Sequence, residues 1–367
     1  EQAEREAEEA EERRRDEAER EEVRRAEEER VRVQEERRVR EEAEGLHAVA
    51  VENERREAEE KVKAEDARKA AVILPGKRLE ELKALLVRLR EEASSFEEDP
   101  SKRQERMNVK KTVNKAVNQI AASKHQVSTK SSELVYILGI SEKYGPAASA
   151  FCKLLVAEKL IDQSEGQVKL HSRSAFAVAG VISIVMAQCP AMTDVFLAQF
   201  HYACTYTFPF FPPKPADASK EDYQKLLGYR PDEQPEQFFE RMTGYISLYA
   251  ALLQSDMPSA LGVGRNPYRI ANGWTWMARI VNAAPRVITP TLVIAFLEIA
   301  GYELSLNYGR QFRKLMMALY ERLNKLPAKA PPGATSRLKI HIEEFMARGT
   351  IEPPEGRELP ESDAQNT

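Results

Sequence analysis

Cysteine, tryptophan and histidine are all scarce, with three, two and five copies in 367 residues, and each shortage excludes a class of protein. Cys152, Cys189 and Cys204 are odd in number and sit in apolar or aromatic surroundings. That pattern argues against a disulfide framework and for reduced, buried thiols in a cytosolic or nuclear compartment. His47, His125, His171, His201 and His341 are scattered. His201-x-x-Cys204 has a ligand spacing, but without a second pair it reads as structure and no metal is expected. No apolar run reaches the roughly 18 residues of a membrane span; the richest stretch, Ala175 to Ala187, has core-helix length. No signal peptide is visible and no membrane partner is expected. A dominant charge sign is missing too: 55 Lys and Arg face 59 Asp and Glu, net −4. Nothing global therefore marks a direct, sequence-specific nucleic-acid binder.

Chemistry-bearing motifs are equally sparse. There is no G-x-S-x-G, and no cysteine stands between a helix start and a histidine. Gly262-Val263-Gly264-Arg265 follows a helix and lacks the Lys-Ser/Thr of a phosphate loop, so it reads as a connector. Glu343-Glu344 lies on a solvated helix. No catalytic residue is assigned, and a non-catalytic interaction protein is expected.

What is abundant is charge, 31% of residues against 42% apolar, and its excess sits almost entirely in the first 70 residues. Residues 1–72 read as one long polar helix of Glu, Arg and Ala, with Glu and Arg repeatedly three and four apart. Val23, Val31, Val33, Val39, Leu46, Val49 and Val51 hold no heptad. Two readings stay open: a lone charge-stabilised helix, or the tail of a coiled coil whose core lies upstream. The chain starts at Glu1, as a piece of a longer protein would.

Ile73-Leu74-Pro75-Gly76 breaks that helix. Leu79, Leu82, Leu85, Leu86 and Leu89 then mark an amphipathic helix, and Asp99-Pro100 opens another carrying Val109, Val113, Val117 and Ile120. Further helices are expected at about 130–140, 146–163, 173–188, 193–204, 219–227, 235–256, 267–283, 289–303, 305–325 and 335–348. Prolines at 209, 212, 213 and 215 force a loop. No strand pair is visible. Helices joined by short turns predict an all-α fold of stacked antiparallel pairs over 73–355, with a polar, disordered tail at 356–367.

Three features invite a partner. Lys102 to Lys130 carries eight cations against the single acid Glu105, with Arg103, Arg106, Lys110 and Lys111 on adjacent helical turns; they form either a polyanion stripe or a solvated face. Trp274 and Trp276, two apart, cannot share a helix face. One belongs in the core and the other nearer the surface, with core packing and an aromatic anchor both open. The TYTFPFFPP loop, with Phe208, Phe210 and Phe211, is a candidate contact surface.

The segments CTYTFPFFP (204–212), EDYQKLLGY (221–229), ERMTGYISLYAALLQ (240–254), NGWTWMARIVN (272–282) and TPTLVIAFLEIAGYEL (289–304) occur in an order and spacing that resembles the C-terminal domain of the Gle-one family of mRNA-export mediators. AEKLIDQSEGQV (157–168) fits as well, and the similarity covers roughly 73–355. The resemblance implies a HEAT-like, MIF-like stack of helical hairpins, similar to the middle domain of a translation-initiation scaffold, preceded by the end of a coiled-coil region. It implies a DEAD-box RNA helicase as partner, whose ATPase cycle and RNA release the domain stimulates at the cytoplasmic face of the nuclear pore. It further implies an FG-nucleoporin docked on the same domain, translation factors as further partners, self-association through the N-terminal helix, and a protein found in cytoplasm and nucleus. A structural pore adaptor acting through coiled-coil oligomerisation is the alternative.

In some fungal members inositol hexakisphosphate sits between domain and helicase. By the resemblance, its basic pocket draws on the segments matching AEKLIDQ and LAQFHYAC. Here those places hold Glu158, Asp162, Gln199, Tyr202 and Ala203, none of them cationic. Lys77, Arg78, Arg103, Arg106, Lys110, Lys111 and Lys159 are the candidate polyanion ligands that remain, and weak or absent inositol-phosphate binding is expected, with no cofactor required. Gln199, Tyr202, Phe208, Phe210, Phe211, Trp274 and Trp276 are the partner-contact candidates.

Overall fold

The computed structural model describes residues 14–15, 20–21, 24–25, 29–30, 32, 35, 76–166, 172–208, 214–215, 217–255, 266 and 268–362. The chain divides into two units, Glu1–Leu74 and Pro75–Thr367. In the first, the described residues are all helical and exposed, with Arg25 3.1 Å from Glu21 and Arg32 3.6 Å from Glu29. Such solvated pairs are worth a few tenths of a kcal/mol each. The rest of the expected 1–72 helix lies outside the described residues.

The second unit is built from helices, with no strand among the described residues. They are α1 (76–98), α2 (Arg103–Asn118), α3 (Lys124–Lys143), α4 (Pro146–Asp162), α5 (Ser172–Gln188), α6 (Met192–Ala203), α7 (Lys220–Leu226), α8 (Pro235–Leu252), α9 (Ile270–Asn282), α10 (Thr289–Leu323) and α11 (Pro332–Arg348). The all-α expectation is borne out. The starts follow local chemistry: Ser123 and Ser219 cap α3 and α7 through their hydroxyls, and Pro146, Pro235, Pro290 and Pro332 occupy first turns. Asp99 accepts from the Ser101 amide and opens a short 3-10 turn that leads into α2.

Neighbouring helices stack in sequence: α4 on α3, α3 on α5, α5 on α8, α8 on α10, and α10 on α11, with α6 against α4 and α9 against α10. Helix α5 is the pivot. Residues 175–179 and 181–186 are all buried, because Ala, Gly and Ser alternate with Val and Ile and let helices close in on two sides. Gly180 lies where a Cβ would stand 3.1 Å from Val127 of α3. Gly244 of α8 is tighter still: a Cβ there would meet the Ser164 carbonyl at 2.0 Å. Thr289–Leu323 includes a window of mean hydropathy 1.2, 61% of it buried in the fold, the signature of a core helix.

Two expectations are corrected. The break expected between 303 and 305 falls at Gly309 instead, whose non-helical φ of 41° and ψ of −110° divide α10 into two helical arms across a kink, because no proline or glycine interrupts Leu304–Tyr308. The tail expected to be disordered is fastened over 356–362. The carbonyls of Pro360 and Glu361 accept from the first amides of α3, Lys124 (2.8 Å) and His125 (3.1 Å). Lys124 pairs with Glu361 at 2.6 Å, Arg357 with Glu303 at 2.5 Å, and Leu359 packs on the core. A polar composition reads as solvated, but these residues satisfy helix-end donors that would otherwise be orphaned. Residues 363–367 lie outside the described residues.

Candidate functional site

A cleft of about 480 Å³ opens where α1, α2, α4 and α6 meet. Leu89, Ala93 and Phe96 continue the apolar stripe of α1 into the core, and this leaves Arg90 and Glu97, two turns apart, at the cleft's edge. Helix α2 buries Val113, Ala116 and Val117 and turns Lys110 and Asn114 toward the cleft. Phe151, Leu154 and Leu155 of α4 form an apolar floor, Glu158 and Lys159 a charged end, and Gln199 of α6 the far wall.

The charges nearly cancel. Arg90, Lys110 and Lys159 face Glu97 and Glu158. Lys159 is also engaged by two acids, Glu158 at 3.3 Å and Asp162 at 3.1 Å. Burial works against the Lys159 ammonium, yet those carboxylates outweigh it and hold its pKa above the ordinary lysine value. Burial raises the Asp162 carboxyl. Arg90 lies over the ring of Tyr202, 4.1 Å from its centroid, and Tyr202 is 62% exposed. Lys110 is 5.6 Å from the Phe151 ring centroid. The cleft thus offers two cations, Arg90 and Lys110, without acid partners among the described residues, beside exposed aromatic surface, a surface suited to docking.

The expected polyanion ligands do not converge. Lys110 and Lys159 line the cleft; Lys77, Arg103 and Lys111 are exposed elsewhere on α1 and α2. Arg78 is tied to Asp194 (2.5 Å) and Glu81 (3.4 Å). Arg106 donates to the carbonyls of Phe96 (2.7 Å) and Asp99 (2.5 Å) and fixes the α1–α2 corner, so it is a structural residue. Arg90 and Glu97 were not singled out from the sequence. Their seven-residue spacing flanking the α1 stripe is the signal that could have found them.

Among the partner candidates, Gln199 is mostly buried in the cleft wall and Tyr202 stands out beside it. Phe208 is half-buried between the His201 ring (5.1 Å) and the Arg279 guanidinium (4.7 Å). Trp274 is half-buried and stacks on Tyr308 at 4.3 Å. Trp276 is corrected as a surface anchor: it is 1% exposed, stacks on Phe296 at 4.2 Å, and donates to the Tyr206 carbonyl at 2.8 Å. The indole N–H fixed inside by that carbonyl is why it belongs to the core. Phe210, Phe211 and the Gly262–Arg265 connector lie outside the described residues.

Nothing in the described residues assembles metal or nucleophile chemistry. No group of three or more potential metal ligands occurs among them. Burial lowers the His201 pKa to about 4, and its Nδ1 lies 2.8 Å from the Thr207 hydroxyl. Burial raises the Cys152 thiol to about 11 and Cys204 to about 12, and lifts Cys189, so all three stay protonated.

Residues 78–320 match the model of the GLE1-like protein family. The mouse mRNA export factor GLE1 is 33% identical over 226 residues, which are 59% of this chain and 32% of that protein. The Arabidopsis thaliana mRNA export factor GLE1 is 31% identical over 309 residues, 80% of this chain and 43% of that protein. The chain therefore spans well under half the length of these curated relatives. A solved structure of the S. cerevisiae Dbp5 C-terminal domain bound to Gle1 and IP6 includes a chain that superposes with a TM-score of 0.69 at 20% identity, covering 77% of this chain and 98% of that one. At that identity the likeness speaks for the fold.

Proposed function

The chain belongs to the GLE1-like family, and from that premise we propose that its helical body docks a DEAD-box RNA helicase in mRNA export and stimulates the helicase's ATPase cycle and RNA release. The observation that carries the reading is the cleft of Arg90, Lys110 and Gln199 beside exposed Tyr202, set in the helical stack of a family with a solved member, S. cerevisiae Gle1, bound to Dbp5. A stiff surface that binds one lobe arrangement of a motor better than another shifts its populations by the difference in affinity, with no bond-breaking centre of its own. The same reading places the protein at the cytoplasmic face of the nuclear pore. A nucleoporin segment would find a seat in the apolar groove lined by Met317, Tyr320, Ile342 and Met346.

The lining of this cleft does not suit inositol hexakisphosphate. A polyphosphate needs several unopposed cations, whereas Glu97 and Glu158 share the cleft and Asp162 engages Lys159. Docking is therefore direct and needs no polyphosphate.

The experiment adds the 367-residue chain to its cognate helicase and RNA and measures ATP turnover, with and without inositol hexakisphosphate. Expected is stimulation independent of the polyphosphate, reduced about tenfold in affinity by Lys110→Glu, the loss of one well-placed charge contact. No stimulation in either condition removes the reading; binding with unchanged turnover replaces it with that of a structural adaptor.

A further inference from the structure

Among the described residues, arginines that leave water find acceptors, with one exception. Arg106, Arg241, Arg286, Arg322 and Arg357 are each half-buried or deeper and each donates to a carbonyl, carboxylate or tyrosine hydroxyl. Arg279, on the last turn of α9, is equally half-buried and makes no hydrogen bond or ion pair with any described residue. Its contact is the Phe208 ring, 4.7 Å from the guanidinium carbon. A desolvated charge without an acceptor is unfavourable.

Among the described residues the surroundings supply no anion. His201, packed edge-on against Phe208, is buried and bonded to Thr207. Tyr249 is the other group that senses the Arg279 charge, and burial keeps its phenol protonated. Burial also pushes the Arg279 guanidinium below its ordinary value. One face of the fork is covered by Phe208, itself half-buried, so an incoming group meets a guanidinium edge and an adjacent aromatic surface.

We propose that Arg279 and Phe208 form a docking point for an acidic side chain of a partner protein segment in which that acid neighbours an apolar residue. A carboxylate matches the guanidinium fork in two parallel hydrogen bonds, and the neighbouring apolar group covers the exposed part of the Phe208 ring. A lone guanidinium beside an aromatic ring suits one carboxylate better than a polyphosphate, which needs converging cations. The site is built from α9 and the segment after α6, and it does not depend on the helicase reading.

The test uses the whole chain and two probes, acetyl-FEFD-amide and its neutral counterpart acetyl-FQFN-amide. Binding is followed by calorimetry and by the side-chain NMR signal of Arg279 in protein carrying 15N-arginine. The acidic probe is expected to bind about tenfold more tightly, the worth of one charge-assisted contact, and to move the Arg279 signal. Arg279→Gln is expected to bring it down to the neutral probe's affinity without lowering the melting temperature, since an uncompensated charge has been removed. The proposal is overturned if the two probes bind alike, if neither binds at millimolar concentration, or if the difference survives in Arg279→Gln. Inorganic phosphate binding as tightly as the acidic probe, or a melting temperature lower by more than about 3 °C in Arg279→Gln, overturns it as well.

Discussion

Arg241→Met should be among the most damaging substitutions of a charged residue in this fold. The guanidinium of Arg241 meets the Glu233 carboxylate at 2.7 and 2.5 Å, donates to the Gly228 carbonyl at 2.9 Å, and both partners' side chains are only 8% exposed. Methionine fills similar volume, so the loss is chiefly electrostatic: Glu233 is left buried without its cation. Breaking such a pair from one side costs about 3–5 kcal/mol. For a body of this size a kcal/mol is worth about 2 °C, so the melting temperature should fall by about 6–10 °C. Thermal and urea denaturation at pH 7 measure it.

The pH dependence gives a second handle on the same pair. Burial acts to raise the Glu233 carboxyl, but Arg241, helped by the amide and charge of Arg230, outweighs it and holds the pKa below the ordinary 4.5. A depressed folded pKa stabilises fully above the unfolded value and loses that contribution as pH falls through the folded one. In Arg241→Met the Arg230 amide still bonds the carboxylate at 2.9 Å, but burial loses its main counterweight and moves Glu233 upward, so the folded state is penalised at neutral pH and relieved on acidification. The gap between the two proteins should therefore narrow as the pH is lowered through 4.5. Adding Glu233→Met should restore most of the loss. A deficit under about 1 kcal/mol at pH 7, or a double variant no better than the single one, would refute the reasoning.

Gly244→Ala places a methyl 2.0 Å from the Ser164 carbonyl, which must separate α8 from the turn after α4; a loss of about 2 kcal/mol or more in urea denaturation is expected, as for overpacking. Deleting residues 350–367 strips Pro360 and Glu361 from the start of α3, and hydrogen exchange at the Lys124 and His125 amides should accelerate, with about 1–2 kcal/mol lost globally, as for a missing helix cap.

Much of the fold is legible in the sequence because its signals are local. Leucine spacing in α1, prolines in the first turns of α4, α8, α10 and α11, and the apolar, alanine-rich run of α5 all act within a few residues. The cleft is less legible. Lys110 and Arg106 lie four residues apart on one basic stripe, yet Lys110 faces the cleft and Arg106 is spent on the carbonyls of Phe96 and Asp99. Periodicity assigns a helix face, but it does not say whether a backbone carbonyl of the preceding helix waits there. Trp274 and Trp276 were rightly separated by their spacing; which one faces inward depends on Tyr206, 70 residues away. The fastening of 356–362 rests on contacts as remote as 237 residues, beyond any pattern of neighbours.

The bend at Gly309 changes how force runs through the molecule. With φ at 41° and nothing within 4 Å of where a Cβ would be, the position is held by backbone freedom and not by packing. Helix α10 is in effect a jointed rod with α11 laid across it as a splint: Arg337 pairs with Glu298 on the first arm, while Phe345 packs on Phe312 and Glu343 accepts from Tyr320 on the second. A push delivered to α11 therefore reaches both arms at once, and the splint holds at its angle an elbow that the backbone alone would leave free.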